Sequence, residues 1–103
     1  MSKQKKKVRE LFRQAVFKRD NLKCKVCGFE SNHLDAHHIT DRNELPNGGY
    51  VAENGISLCE KCHIKAEIFH STGKAVEGFH PNDLYNLIGS SYDKAYEASL
   101  KLN

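Results

Sequence analysis

Two Cys-x-x-Cys pairs, Cys24-Lys25-Val26-Cys27 and Cys59-Glu60-Lys61-Cys62, constrain this chain more than any other feature. Each pair presents two thiols from a single turn. Two such turns complete a tetrahedron of soft sulfur ligands, the arrangement of a closed structural zinc site. A thioredoxin-like redox pair has no need of a second copy, and cysteines that merely pack have no need of the spacing. The two pairs use all four Cys, so in a reducing compartment metal thiolates are expected rather than disulfides. Zinc is the expected structural cofactor. At 103 residues the chain can build one domain with only a modest apolar core, which a metal staple supplements.

The 31 residues between Cys27 and Cys59 exceed the roughly 15 to 20 of a simple zinc ribbon, so this loop must hold structure of its own. Within it, Asp35-Ala36-His37-His38-Ile39-Thr40 reads as a short strand. Asp41 to Gly49, with Pro46 and Asn47-Gly48-Gly49, reads as a turn-rich tip, and Tyr50-Val51 or Ile56-Ser57-Leu58 as the returning strand. Glu60 to about His70 is helix-forming, and Gly73 after Ser71-Thr72 is its stop signal. The core order is therefore β-β-α. Gly28 suits the special backbone angles that follow the second Cys of a knuckle. Upstream, Val8, Leu11, Phe12, Ala15 and Val16 recur at helical spacing, predicting an amphipathic helix over 5–19 that ends near Asp20-Asn21, with residues 1–4 disordered. Downstream, 81–88 reads as a short helix, and Tyr92, Ala95, Tyr96, Ser99 and Leu100 mark a last one after Ser90-Ser91; both are expected to serve packing. The expected fold class is α+β. A single zinc-stapled domain would span 1–103, with its core at 13–70 and a C-terminal helical extension at 81–102.

Charge is distributed unevenly. Residues 1–25 carry ten Lys or Arg against Glu10 and Asp20, a balance of +8, whereas residues 26–103 carry six bases against eleven acids, a balance of −5. Such a basic block reads either as an electrostatic footprint for nucleic acid or as a solvated helix face with a lysine tail. No apolar run approaches the roughly 18 residues of a membrane span. The basic start is followed by the charged, amphipathic Val8-Arg9-Glu10-Leu11-Phe12-Arg13 and not by the apolar stretch of a leader, so a cytoplasmic location is expected.

Successive side chains of a strand face opposite ways, so His37 and His38 cannot easily bind one ion together. One can hold a cation while its neighbour, with an ordinary pKa of about 6.5, takes a proton from water. On the following helix, His63, Glu67 and His70 are spaced i, i+4, i+7 and share a face, which suits two or more metal ligands. A hard divalent ion held by imidazole and carboxylate, with open positions, can grip a phosphate. His33 and His80 read as ordinary satisfied polar residues.

Taken together, Cys24-x-x-Cys27, Asp35-Ala36-His37-His38-Ile39 and Asn54-Gly55-Ile56-Ser57-Leu58-Cys59-x-x-Cys62-His63 resemble the HNH endonuclease family, and Val16-Phe17-Lys18-Arg19-Asp20-Asn21 is similar to the lead-in of its zinc-knuckle members. The resemblance covers about residues 13 to 70. It implies a ββα-metal (His-Me) finger that hydrolyses DNA phosphodiesters to 5′-phosphate and 3′-hydroxyl ends. It also implies His38 as general base, His37 and His63 as ligands of a catalytic divalent ion, and Asn54 as the residue that orients the hairpin loop. The implied partner is double-stranded DNA with weak sequence preference. Colicin-type relatives carry a further His one turn after the position of His63, where this chain has Glu67. That leaves Glu67, His70 or water as the third ligand, and magnesium, manganese, nickel or another divalent ion as the metal. A non-catalytic zinc module that binds nucleic acid through the first helix would account for the thiols and lysines but not for the His-His, Asn, His series. An interaction domain in a larger packaging or defence assembly is compatible with catalysis.

Overall fold

The computed structural model describes residues 2–102, with side chains from residue 5 onward. Helix α1 (Ser2–Arg19) is followed by strand β1 (Asp35–His38), strand β2 (Gly55–Leu58), helix α2 (Glu60–Thr72), helix α3 (Pro81–Leu87) and helix α4 (Tyr92–Leu100). Residues 2–4, expected to be disordered, begin α1 instead, and Met1 lies outside the described residues. The fold class is α+β, a two-stranded antiparallel sheet with four helices. The strands pair in the register Asp35↔Leu58, Ala36↔Ser57, His37↔Ile56 and His38↔Gly55, and α2 follows directly, which gives the β-β-α order.

Of the two candidates for the returning strand, Ile56-Ser57-Leu58 is used. Tyr50-Val51 lies in the connection, which runs through short 3-10 turns at Arg42–Glu44, Pro46–Gly49 and Ala52–Asn54. β1 stops at His38, two residues short of the expected end, because the Thr40 N–H donates to the Asn54 side chain at 2.9 Å and so leaves the ladder.

Helix α1 crosses β2 on a narrower stripe than its apolar pattern suggests. Phe12 and Val16 are buried and Val8 is half-buried, whereas Leu11 is 54% exposed and Ala15 is exposed as well. A helix lying on a two-stranded sheet buries only the i, i+4, i+8 row, and Leu11 falls outside it. Gly55 permits the close approach, since a Cβ there would collide with Val16 and Phe12. The helix ends where Asn21 and Leu22 turn to φ 57° and 56°. There Asp20, 3% exposed, accepts two hydrogen bonds from Arg19 at 2.7 and 2.8 Å and a third from the Ser57 N–H at 2.9 Å. Arg19 also donates to the carbonyls of Ala52 and Gly55, both at 2.7 Å. This clamp fastens the end of α1 to β2.

The first knuckle closes through Gly28 N–H to Cys24 O at 2.8 Å, with Gly28 at φ 80° as the turn requires, and Cys24 N–H to Phe29 O at 2.9 Å. Helix α2 ends on Gly73 in the left-handed region, its N–H returning to Phe69 O. Helices α3 and α4 dock on the β1–β2 connection. Asn47 Nδ2 donates to the carbonyls of Ser99 and Leu102 at 2.9 and 2.8 Å, and Ser90 Oγ donates to Glu53 O at 2.8 Å. Among the described residues no helix is long and apolar enough to cross a membrane.

Asp20→Ala would leave the half-buried Arg19 with only its two carbonyl acceptors and the buried Ser57 N–H with no acceptor. It should destabilise the zinc-loaded protein by roughly 2–4 kcal/mol, read as a lower denaturant midpoint. The exposed Glu10→Ala should stay within about 0.5 kcal/mol.

Candidate metal centres

The fold brings the two Cys pairs together. The sulfurs of Cys24, Cys27, Cys59 and Cys62 all lie within 4.8 Å of one another, and Cys27 and Cys59 approach to 3.7 Å without a disulfide. A tetrahedral ion with Zn–S near 2.3 Å needs sulfurs roughly 3.8 Å apart, so the four thiols fit zinc. Burial opposes ionisation of Cys24, but backbone hydrogen bonds from Cys27, Cys59 and Val26 outweigh it and lower the thiol to about 7. Burial and the neighbouring thiols push Cys62 far up. A dication would relieve that mutual opposition and hold all four as thiolates.

The strand alternation sends His37 and His38 to different surroundings. His37, 2% exposed, faces α2, with ring centroids 5.1 Å from His63 and 5.3 Å from His70. Burial, helped by the three neighbouring imidazoles, lowers its pKa to about 3. It is therefore neutral, and the 3.2 Å separation between its Nδ1 and Glu67 Oε2 is not an ion pair. The angles are not those of a hydrogen bond either, and this buried nitrogen has no hydrogen-bond partner. A buried imidazole nitrogen without a partner and a carboxylate close to it but not hydrogen-bonded to it are a pair of donors that a cation could share.

The same Glu67 oxygen lies 3.2 Å from His63 Nε2, while His63 Nδ1 lies 3.1 Å from Asp35 Oδ2. The residues whose ligand atoms all come within 4.8 Å of one another are His37, Glu67 and His70; His63 flanks them through Glu67. His70 Nε2 is 3.1 Å from the His38 carbonyl. If it donates that bond, its free lone pair is on Nδ1.

His38 leaves the other face of β1. Its ring stacks on Phe12 of α1, with centroids 4.5 Å apart and planes at 21°, and meets the edge of Tyr50 at 4.8 Å. Burial, and then the charge of Arg42, lower its pKa to about 4, and its Nε2 is buried without a partner. Tyr50 OH accepts from Arg42 at 2.9 Å. Burial opposes ionisation of that phenol, yet Arg42 and Arg9 draw its pKa down. Two guanidiniums thus converge on the Tyr50 hydroxyl, and one of them, Arg42, also acts on His38.

Asn54 is fully buried between the strands. Its Oδ1 accepts from the Thr40 N–H at 2.9 Å, and its Nδ2 donates to the carbonyls of Thr40 and Gly49 at 3.0 and 3.2 Å. Phe12, Arg42, Tyr50 and Asp35 escaped the sequence reading as site residues, and so did Tyr85, whose hydroxyl donates to Asn54 Oδ1 at 2.8 Å. His80, read as a satisfied polar residue, caps α3 by accepting from the Asn82 N–H.

The HNH endonuclease family model matches residues 24–67, a little under half of the chain. The match takes in both Cys pairs, the sheet, Asn54 and α2 as far as Glu67, and leaves out α1, His70, α3 and α4. No curated protein and no solved structure matches the chain.

Cys24→Ser or Cys59→Ser should abolish stoichiometric zinc binding and leave the chain unfolded by circular dichroism, because the four thiols close a 31-residue loop around a small core. A folded, zinc-free variant would contradict this.

Proposed function

Proceeding from the HNH endonuclease match over residues 24–67, we propose that the chain is a metal-dependent nuclease that hydrolyses phosphodiester bonds of double-stranded DNA, with residues 1–103 working as one domain. The observation that carries this reading is a four-residue strand presenting two neutral imidazoles to opposite environments, each with a buried, unpartnered nitrogen. Packing rarely leaves two such nitrogens in one strand, whereas a metal ligand on one face of β1 and a proton-transfer residue on the other account for two unpaired imidazoles.

Zinc holds the scaffold through Cys24, Cys27, Cys59 and Cys62. His37, His63 and Glu67 hold the catalytic divalent ion, with His70 available as a further ligand. That ion, when bound, supplies positive charge to the scissile phosphate and its leaving oxygen. His38 accepts the proton of the attacking water through Nδ1, because its Nε2 is buried away from water. Its neutrality well below pH 7 keeps the base form available, and Phe12 and Tyr50 hold its ring in one plane. Asn54 fixes the connection that leaves His38. Arg42 and Arg9 favour a phosphate next to the base, and Lys5, Lys6, Lys7 and Arg13 on the exposed side of α1 extend that basic surface. A zinc module that only binds nucleic acid accounts for the basic helix but not for the buried imidazoles.

Purified zinc-loaded protein should convert supercoiled plasmid in the presence of magnesium, manganese or nickel. His38→Ala should lose at least about a hundredfold in cleavage rate while still binding DNA and manganese. His37→Ala and His63→Ala should instead weaken ion binding, with cleavage partly restored at high metal concentration. Normal cleavage by both His37→Ala and His38→Ala would sink the nuclease reading.

Neutralising Lys5, Lys6, Lys7, Arg9 and Arg13 should weaken DNA binding and flatten its dependence on salt, each lost contact reducing the logarithmic slope by about 1. An unchanged slope would mean that α1 is merely solvated.

A further inference from the structure

We propose that Tyr85, on helix α3 and outside the segment matched by the family, is a positioning residue for the reaction, holding His38 and Tyr50 in register by completing the hydrogen bonds of Asn54. This rests on the nuclease reading above and adds to it a working part drawn from the C-terminal extension.

An Asn side chain has two acceptor sites and two donor hydrogens. At Asn54 all four are used. Oδ1 accepts from the Thr40 N–H and from Tyr85 OH, and Nδ2 donates to the carbonyls of Thr40 and Gly49. The amide is thereby fixed in one orientation. Because the Tyr85 proton is committed to Asn54, the 2.6 Å contact between Tyr85 OH and Thr40 Oγ1 is a donation from the threonine. A directed chain runs from Thr40 Oγ1–H to Tyr85 O–H to Asn54 Oδ1. Tyr85 is 2% exposed, and burial raises its pKa, so the phenol stays protonated and keeps donating.

The two segments that Asn54 ties together are the ones that hold His38. Thr40 lies two residues beyond it, and between them the Ile39 N–H donates to Asn54 O at 2.9 Å. Gly49 immediately precedes Tyr50, whose ring edge lies against the imidazole. Removing the Tyr85 hydroxyl leaves Asn54 Oδ1 with one donor and frees the amide to tilt, loosening both walls of the His38 pocket. Packing alone asks only for the ring of Tyr85. The hydroxyl is the part aimed at the site. Asn47 and Ser90 hold the same connection against α4 and the α3–α4 turn, so the extension is docked where such a support must act.

The test is Tyr85→Phe in the full, zinc-loaded chain, which keeps the ring and deletes the hydroxyl. On plasmid DNA with manganese, kcat should fall by about tenfold or more, because small misplacements of a reacting group are costly, while KM and manganese affinity stay within about twofold. Amide hydrogen exchange of Thr40 should accelerate while that of Ser57 does not. In an Asn54→Ser background, Tyr85→Phe should cause little further loss of kcat, since the pathway through Asn54 is already broken. Wild-type kcat in Tyr85→Phe, a loss confined to KM, or a full additional loss in the Asn54→Ser background would each overturn the assignment. Should the wild-type protein itself cut no DNA with any divalent ion, the nuclease reading fails first and the assignment with it.

Discussion

Four sulfur atoms within 4.8 Å of one another decide where everything else in this protein sits. They come from two short turns, one after α1 and one at the start of α2, and joining them folds the intervening chain back on itself. The hairpin is too small to be stable alone, with four residues in each strand. Its supports are α1, clamped to β2 through Arg19 and Asp20, and α2, launched from Cys59 and Cys62. His63, Glu67 and His70 reach the neighbourhood of His37 because the second Cys pair fixes where α2 begins and in which rotation.

Burial then sets the chemistry of the two histidines. Both imidazoles are held neutral by desolvation, and their neighbours differ: the rings of His63 and His70 around His37, the guanidinium of Arg42 beside His38. The Glu67 carboxylate lies against two imidazole nitrogens at 3.2 Å without a shared hydrogen-bond geometry at His37, an arrangement that a divalent ion would resolve. On the opposite side of the strand no carboxylate approaches His38 as a hydrogen-bond partner among the described residues, and Phe12 and Tyr50 enclose it. Helix α1 thus has two tasks in the proposed nuclease: its apolar row shields the base, and its exposed row carries the lysines and arginines.

Much of this was legible in the residues. The sulfur cluster follows from spacing, since a Cys-x-x-Cys turn presents both thiols the same way wherever it occurs. The separate surroundings of His37 and His38 follow from the period-2 alternation of a strand, and the end of α2 follows from Gly73. What escaped depended on contacts between parts distant in sequence. Tyr85 lies 31 residues after Asn54, and nothing local marks it off from the apolar residues around it. Leu11 looked as buried as Phe12 because helical periodicity does not reveal how narrow the facing sheet is. Ile39 and Thr40 have the composition of a strand, but the Asn54 side chain takes the backbone hydrogen bond that would have prolonged it. The mutual approach of His37, Glu67 and His70 depends on the angle at which α2 crosses β1, and that angle is a property of packing.

In the proposed nuclease one small scaffold holds two chemically distinct metal centres, soft thiolates for structure and imidazole with carboxylate for phosphate chemistry. Anomalous diffraction from crystals of the zinc-loaded protein soaked in manganese tests it most directly. Zinc is expected at Cys24, Cys27, Cys59 and Cys62 and manganese on His37 and its partners from α2, with His38 free of either. Manganese on His38, or none at His37 while zinc fills the thiolate site, would contradict it.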